Sequence, residues 1–246
     1  MSIEDKSVAV VLGVGASRGV GAAVARRFAG EGFHVVLAGR TEGGLDAIRD
    51  EIRDAGVTAE SFVTDATNAG DVERLMAHAD SLGNGLRVAV YNVGNNRRGT
   101  LDDLDMAVFE KAWRENAFGG ALFAKAVAWH MRARGQGTMI FTGATASLRA
   151  RPPFLPFASA KAALRAVAQA AARELGPDGI HVGHVVVDGG IAGDKLLRAF
   201  PDRAKRAGED GLLDPDAIAD AYWALHCQHR SAWTFELDLR PFGETW

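Results

Sequence analysis

The glycine-rich stretch at residues 14–21, Val-Gly-Ala-Ser-Arg-Gly-Val-Gly, decides the fold through the segments on either side of it. Residues 7–12 form an apolar, β-branched run that predicts a buried strand, and residues 22–28 carry apolar side chains at helical spacing. A strand, a glycine turn and a helix in this order leave free backbone N–H groups at a helix N-terminus, which suits a pyrophosphate. The glycines let the backbone turn tightly and approach the phosphates. The stretch therefore predicts nucleotide binding.

Length and composition favour a single domain. The 246 residues are 48% hydrophobic and contain no stretch that resembles a linker, so we expect a single domain over 1–246. The net charge of −3 predicts no nucleic-acid partner and no membrane-surface partner. Cys227 is the single cysteine, and the charged N-terminus precedes an apolar run too short for a signal or membrane segment. We therefore expect a cytoplasmic protein.

Strand and helix patterns alternate along the chain, which predicts a Rossmann-type, doubly wound parallel sheet with helices on both faces. The seven predicted strands cover 7–13, 33–38, 58–64, 86–91, 137–142, 180–187 and 232–239. The predicted helices cover 19–30, 42–55, 69–82, 102–114, 116–134, 157–175 and 214–227. The fold class is therefore α/β.

Two further segments predict features around the sheet. Residues 188–213 are glycine-rich and follow the sixth strand, so they overhang the carboxyl ends of the strands and predict a substrate lid. The alanine-rich helix 157–175 allows close helix packing, on its own sheet and across a symmetric interface. Together with the apolar end of the chain at Trp246, it predicts a homodimer or homotetramer.

The end of the second strand indicates which cofactor binds. A free ribose 2′-OH normally meets an acidic residue here, whereas a 2′-phosphate needs a cation and no nearby acid. Gly39 removes the acid, and Arg40 supplies a planar guanidinium that can grip a phosphate. Arg18, inside the glycine turn, could reach the same phosphate. The sequence therefore favours NADP(H) over NAD(H), although both arginines could also be solvated surface residues.

The chain resembles the short-chain dehydrogenase/reductase family over nearly its whole length. The resemblance rests on the Gly15, Gly19 and Gly21 turn, with Val14 in place of the usual threonine, and on Tyr91-Asn92-Val93-Gly94 in place of the family's Asn-Asn-Ala-Gly. It implies that Asp65 contacts adenine, that Asn116 belongs to a proton relay and that Lys161 is the catalytic lysine. The cofactor contacts predicted in this way are Gly15, Ser17, Arg18, Gly19, Val20, Gly21, Arg40, Asp65, Ala66, Asn92, Gly94, Lys161 and Ile191.

The reaction centre departs from the family pattern. Phe157 stands where the family has the tyrosine that exchanges a proton, and Ala144 stands where it has the serine that holds the substrate oxygen. Phenylalanine has no group that can donate a proton. Losing a general acid costs about a hundred- to ten-thousandfold in rate, and losing an oxyanion donor costs about a hundred- to thousandfold more. The family's mechanism therefore cannot run unchanged.

Polar residues at predicted strand ends offer substitutes. Tyr91 and Asp188 are the leading candidates for a replacement proton donor, beside Asn116 and Lys161 as retained catalytic residues. The other candidates are Thr145, Ser147 and His184. Each of them could equally be structural or solvated. No metal site is predicted, because the histidines at 226 and 229 lack a second ligand cluster.

Three functional hypotheses remain. The first is an NADP(H)-dependent oxidoreductase that acts on a carbonyl or alcohol of an unknown small molecule, with a non-standard proton donor. The second is a catalytically inactive protein that senses or sequesters NADP(H). The third is a structural oligomer with an empty cleft, which the intact glycine turn disfavours.

Overall fold

The computed structural model describes residues 3–244, so the predicted role of Trp246 lies outside the described residues. A seven-stranded sheet forms the centre, with every strand pair parallel and the order β3-β2-β1-β4-β5-β6-β7. The strands are β1 (Val8–Leu12), β2 (His34–Gly39), β3 (Ala59–Val63), β4 (Leu86–Tyr91), β5 (Gly137–Thr142), β6 (Ile180–Val187) and β7 (Glu236–Leu239). The predicted α/β Rossmann-type sheet is confirmed.

Helices connect successive strands. They are α1 (Val20–Gly30), α2 (Glu42–Asp54), α3 (Ala69–Ser81), α4 (Met106–Trp113), α5 (Gly119–Arg134), α6 (Leu155–Leu175), α7 (Asp194–Ala199), α8 (Pro201–Ala207) and α9 (Pro215–His226). A π-helical turn, Arg114–Phe118, joins α4 to α5, and a short 3-10 turn, Thr145–Ser147, follows β5. Within residues 3–244, no helix combines the length and apolar character that a membrane span needs.

The core consists of two layers, one on each face of the sheet. Side chains of β1 alternate between them, since Val8 and Val10 face one layer and Ala9 and Val11 face the other. Phe123 of α5 is fully buried in the first layer and Phe28 of α1 in the second. Burial of each such large side chain stabilises the fold by roughly 1.5–3 kcal/mol. Both faces of the sheet are therefore covered, which explains its continuous apolar strands.

Four predicted boundaries need correction. The helix predicted over 102–114 begins at Met106, because the Asp105 side chain accepts hydrogen bonds from Ala107 N and Val108 N and caps it. The helix predicted over 116–134 begins with the π-helical turn. The last strand begins at Glu236 rather than at residue 232, and α6 begins two residues earlier than predicted.

The strand order reverses direction between β1 and β4, which are hydrogen-bonded neighbours. Open α/β sheets bind ligands in the crevice beyond the carboxyl ends of the strands at such a reversal. The glycine turn follows β1 and the Tyr91–Gly94 segment follows β4, so both border this crevice.

Candidate cofactor and active site

The glycine turn is shaped for close backbone approach. Gly13 has a φ of +106°, and a Cβ there would lie 2.6 Å from the backbone of Asn92. A Cβ at Gly21 would lie 2.9 Å from both Gly13 O and Asn92 Nδ2, so α1 packs directly against the loop. Gly15, in contrast, borders open space, with no heavy atom within 4 Å of an added Cβ. The turn is thus tight on the protein side and open on the crevice side, as a phosphate cradle requires.

An arginine clamp fixes the outer side of the turn. Arg26 of α1 donates from both terminal nitrogens to Ser17 O, at 3.0 and 2.6 Å, and from Nε to Glu51 Oε1 at 3.1 Å. The Ser17 hydroxyl donates to Glu51 Oε2 at 3.3 Å. Sequence analysis did not find this clamp, although Arg26 and Glu51 face each other from consecutive helices.

The end of β2 presents a guanidinium beside a buried carboxylate. A Cβ at Gly39 would lie 2.7 Å from Val14 O, so the close approach of β2 to the turn requires glycine. The Arg40 side chain is 60% exposed and places NH1 3.3 Å from Glu115 Oε1. Glu115 is buried in the π-helical turn and also accepts from Asn95 Nδ2 at 3.1 Å. Arg40 is therefore oriented by Glu115 while most of its surface stays accessible.

The predicted adenine-binding segment follows β3. Asp65 Oδ1 accepts hydrogen bonds from Thr67 N at 2.9 Å and from Thr67 Oγ1 at 2.8 Å, and these bonds hold the pKa of Asp65 below its usual range. Ala66 is buried, with its carbonyl oxygen 2.8 Å from where a Cβ on Gly119 would lie. The segment is a rigid turn at the crevice edge.

Asn92 ties three elements together below the crevice. Its Nδ2 donates to Gly13 O at 3.0 Å, and its Oδ1 accepts from Thr142 Oγ1 at 3.0 Å. Thr142 Oγ1 also lies 2.8 Å from the buried Tyr222 hydroxyl. Asn92 therefore holds the ends of β1, β4 and β5 in register at the point where the cofactor is expected.

Gly94, Asn116 and Lys161 form a closely fitted pocket wall. A Cβ at Gly94 would lie 2.8 Å from Asn116 Oδ1 and 3.1 Å from Lys161 Nζ. Asn116 Nδ2 donates to Ala112 O at 2.8 Å, but its buried Oδ1 has no hydrogen-bond partner. A buried acceptor without a partner costs stability unless a ligand or water satisfies it. This orphaned oxygen and the open turn at Gly15 fit a dinucleotide with a hydroxylated ribose near Gly94.

Lys161 is a buried amine at the base of this pocket. Its Nζ donates to Thr142 O at 2.8 Å and to Val93 O at 3.4 Å, and it lies 6.0 Å from the centre of the Phe157 ring. Burial lowers the pKa of Lys161 to about 7. Ala144 stands at the start of the 3-10 turn, with its N–H donated to Ser147 Oγ at 3.1 Å.

The expected role of Tyr91 as a proton donor needs correction. Its side chain is fully buried, its hydroxyl donates to Glu115 O at 2.6 Å, and burial raises the pKa of the hydroxyl. The ring packs on Phe123 within the core layer beneath the crevice. Tyr91 thus points into the helix layer rather than toward a substrate.

Asp188 also differs from its expected role. It is buried, accepts from Thr145 Oγ1 at 2.5 Å and from Arg149 NH2 at 2.6 Å, and lies 3.7 Å from Arg240 NH2. Both carboxylate oxygens therefore accept hydrogen bonds from neighbouring side chains, and Asp188 anchors the loop after β5. The Thr145 hydroxyl is in turn engaged by its hydrogen bond to Asp188 and is not free to donate to a substrate.

Of the remaining two candidates, Ser147 is committed to structure, whereas His184 is engaged only through Nδ1, since its buried Nε2 has no hydrogen-bond partner. The Ser147 hydroxyl accepts the Ala144 N–H and closes the 3-10 turn. His184 is fully buried on β6, with Nδ1 2.9 Å from Glu236 Oε2, and burial lowers its pKa to about 4. Lys161 is thus the titratable group that the structure brings to the pocket wall.

Residues 188–213 contact the glycine turn. Asp194 N donates to Arg18 O at 3.0 Å, and Arg18 N donates to Asp194 Oδ2 at 3.3 Å. A Cβ at Gly193 would lie 2.4 Å from Arg18 O, so this contact requires glycine. Ile191 forms a parallel bridge with Leu213, which closes the base of the segment. Helices α7 and α8, which sequence analysis missed, form the part between them.

Of the predicted cofactor contacts, twelve lie in the segments that follow the carboxyl ends of strands, including the first turn of α1, and Lys161 reaches the same crevice from the second turn of α6. The twelve are Gly15, Ser17, Arg18, Gly19, Val20, Gly21, Arg40, Asp65, Ala66, Asn92, Gly94 and Ile191. Among residues 3–244, no group of three or more histidine, cysteine, aspartate or glutamate side chains could hold a metal ion.

Comparisons with known proteins agree with this architecture. The model of the short chain dehydrogenase family matches residues 9–195. Among curated proteins, dehydrogenase/reductase SDR family member 4 from Homo sapiens is 32% identical over 174 residues, which are 70% of this chain and 63% of that protein. Glucose 1-dehydrogenase from Gluconobacter oxydans is 32% identical over 177 residues, 71% of this chain and 66% of that protein. The matches thus span somewhat less than two thirds of the first of these relatives.

Two solved structures are similar over almost their whole length. A short-chain dehydrogenase from Rhodopseudomonas palustris is 37% identical, with a TM-score of 0.82 and coverage of 96% of this chain and 99% of that one. A metagenomic short-chain oxidoreductase in complex with NADP is 26% identical, with a TM-score of 0.81 and coverage of 98% and 99%.

Proposed function

Because the chain belongs to the short-chain dehydrogenase family, we propose that it binds NADP(H) and interconverts a carbonyl and an alcohol by hydride transfer. The single observation that carries this proposal is the pocket formed by Gly94, Asn116 and Lys161, with its orphaned Asn116 Oδ1. A protein without a cofactor would gain nothing from leaving a buried acceptor unsatisfied beside a buried amine.

Arg40 supports NADP(H) over NAD(H). Its guanidinium stands at the end of β2, the position that faces the adenosine ribose in this fold, and Gly39 itself carries no acidic side chain, although Glu115 lies beside the guanidinium. Glu115 orients the guanidinium, since its Oε1 lies 3.3 Å from Arg40 NH1. The related metagenomic structure contains NADP. A bidentate contact from Arg40 to a 2′-phosphate would add affinity for NADP(H) alone.

Lys161 takes the proton-donating role in this proposal. The bound cofactor supplies a hydride, and the substrate oxygen then needs a proton. Phe157 cannot give one, whereas the Lys161 ammonium has a pKa of about 7, which is close to the optimum for a general acid at neutral pH. Since Nζ lies 6.0 Å from the Phe157 ring, a water in place of the missing phenol hydroxyl would bridge it to the substrate oxygen.

The test is NADPH consumption with a panel of aldehydes and ketones, comparing the unmodified protein with Lys161→Met. We expect turnover by the unmodified protein and loss of about a hundredfold or more in Lys161→Met. Tight NADPH binding with no turnover across the panel would reject the hydride-transfer proposal.

A second function is supported by the internal contacts of the hydroxyl and carboxyl groups that were candidate donors. Tyr91, Thr145 and Ser147 all use their hydroxyls in internal hydrogen bonds, and Asp188 is paired with arginine. A protein that only senses or sequesters NADP(H) needs none of them. Restoring Phe157→Tyr with Ala144→Ser separates the two functions. If the protein is a sensor, the unmodified protein has no activity and any carbonyl reduction first appears in the double variant. If it is an enzyme with intact pocket geometry, the unmodified protein already reduces carbonyls and the double variant does so faster.

The proposal also includes a substrate lid and an oligomeric state. Residues 188–213 serve as the substrate lid, because their contact with Arg18 couples them to the phosphate-binding turn. The protein works as a homodimer or homotetramer in the cytoplasm, with the exposed tryptophans Trp113 and Trp129 at a subunit interface.

A further inference from the structure

A second cavity lies at the opposite, amino-terminal edge of the sheet. Its volume is about 250 Å³, and it opens between the starts of β4, β5 and β6 and the segment after α9. The charged and polar side chains that line it include Arg87, His181, His226, Gln228 and Arg230. Within the described part of the chain, its lining contains two arginines and two histidines and no carboxylate.

The chain uses a backbone irregularity to place Arg87. In the pairing of β1 with β4, Val8 lies opposite Leu86 and Ala9 lies opposite Val88, so Arg87 is skipped. Such a bulge re-aims a side chain and is found disproportionately beside functional sites. Arg87 NH1 is buried and has no hydrogen-bond partner. Basic side chains often satisfy carbonyls at helix C-termini, but Arg87 NH1 makes no such bond.

Burial and neighbouring charges disfavour the charged forms of the basic side chains around this cavity. Burial lowers the pKa of Arg87 and the pKa of His181. The pKa of His226 falls to about 4 through burial and through the nearby charges of Arg87 and His181. Two carboxylates near this edge are paired with other arginines, Asp80 with Arg134 and Asp178 with Arg132. The Arg87 guanidinium is therefore partly buried without a neighbouring negative charge, and a bound anion would stabilise its charged form.

Hydrogen bonds make the walls of the cavity rigid. Gln228 Nε2 donates to Thr234 Oγ1 at 2.9 Å, and Thr234 N donates back to Gln228 Oε1 at 2.7 Å. His181 Nε2 donates to Thr234 O at 2.9 Å, and its ring stacks on Trp233 with centres 4.9 Å apart. A preformed polar cavity loses little conformational entropy when it binds a ligand.

We propose that this amino-edge cavity binds a small phosphate-bearing anion, which Arg87 and Arg230 contact through charge-assisted hydrogen bonds. The guanidinium fork suits phosphate oxygens. A volume slightly below the usual range for ligand pockets, roughly 300–1,000 Å³, fits inorganic phosphate or a small phosphomonoester rather than a dinucleotide. The site lies at the edge of the sheet opposite to the cofactor crevice, so the two can be occupied independently.

The test follows the imidazole resonances of His181 and His226 and the indole N–H of Trp233 by NMR, with inorganic phosphate in one titration and glycerol phosphate in another. Sodium chloride at equal ionic strength is the reference. We expect all three signals to shift saturably in the millimolar range, and the tighter of the two ligands identifies the source of the phosphoryl group. Signals that follow only ionic strength in both titrations would overturn the proposal.

Variants make the assignment specific. Arg87→Gln should weaken phosphate binding about tenfold or more, because it removes a charged hydrogen bond. Arg173→Gln removes the same charge from an exposed position near the end of α6 and should leave binding unchanged. Equal losses in both variants would contradict the proposal. If Arg87→Gln fails to fold, Arg230→Gln, at an exposed position of the cavity, replaces it.

Discussion

At the scale of single residues, Lys161 has the chemistry that the rest of the pocket lacks. Its amine is buried, lies one helical turn after Phe157, and has a pKa of about 7. Lys161 can act as a general acid only while its amine is protonated, and the protonated form predominates below about pH 7. The rate of carbonyl reduction should therefore fall as pH rises through about 7, and alcohol oxidation should rise over the same interval. Stopped-flow rates at saturating cofactor from pH 5.5 to 9, with Phe157→Tyr as the variant that restores a phenol, would check this. A flat profile would exclude Lys161 as the donor.

Gly94 gives a second prediction at this scale. Gly94→Ala would place a methyl group 2.8 Å from Asn116 Oδ1 and 3.1 Å from Lys161 Nζ, so the pocket wall must shift. We expect a loss of NADPH affinity of about tenfold or more, together with destabilisation of about 1–3 kcal/mol. Gly30→Ala is the matched control, since an added Cβ there meets no atom within 4 Å. Calorimetry and thermal unfolding would measure both quantities, and equal NADPH affinities in the two variants would contradict the proposed pocket.

Arg40 tests the choice of cofactor. Arg40→Gln should weaken NADPH binding by about tenfold or more, because it removes a charged contact to the 2′-phosphate, and should leave NADH binding unchanged. Arg49→Gln, on the neighbouring helix α2 and paired with Asp46 and Asp50, is the control. Parallel loss of both cofactors in Arg40→Gln would mean that this residue acts on the fold rather than on the phosphate.

The case of Tyr91 explains why sequence reasoning succeeds in part at this scale. Its place at the carboxyl end of β4 was predicted correctly, but the direction of its side chain was not. Successive side chains of a strand face opposite layers, and Tyr91 falls on the layer that contains Phe123 and Phe141. The partners of Asp188 were equally hidden, since Arg149 and Arg240 are distant in sequence.

At the scale of elements, strands were predicted best because β-branched apolar runs between glycines have few other interpretations. The predicted span of β4, 86–91, and that of β5, 137–142, agree with the structure. The last strand was predicted too long because Ala232, Trp233 and Phe235 are apolar, whereas Thr234 between them closes a loop with Gln228. Helices α7 and α8 were missed because both are short and glycine-flanked.

The contact between the proposed lid and the glycine turn gives an element-scale prediction. Gly193→Ala would place a methyl group 2.4 Å from Arg18 O and push residues 194–207 away from the turn. We expect faster amide exchange in α7 and α8 and weaker NADPH binding. Lys195→Ala, an exposed neighbour, should change neither. If exchange in α7 and α8 stays the same in Gly193→Ala, the contact does not hold the segment closed.

At the scale of the whole molecule, exposed aromatic side chains predict self-association. Trp129 is 78% exposed on α5 and Trp113 is 42% exposed on α4, and such apolar surface usually marks an interface. A two-fold contact would bring the same helices of two copies together. Trp129→Glu should therefore shift sedimentation from a dimer or tetramer toward monomer, whereas Lys205→Glu at an exposed position of α8 should not. A monomeric unmodified protein at micromolar concentration would contradict this.

The two proposed binding sites lie at opposite edges of the sheet. The carboxyl edge holds the glycine turn, Arg40 and Lys161, and the amino edge holds the cavity around Arg87. The most direct test of the central claim is isothermal calorimetry of the unmodified protein with NADPH and with NADH. We expect saturable heat at one site per chain, with NADPH binding more tightly than NADH. No heat from either reduced cofactor at millimolar concentration would contradict it.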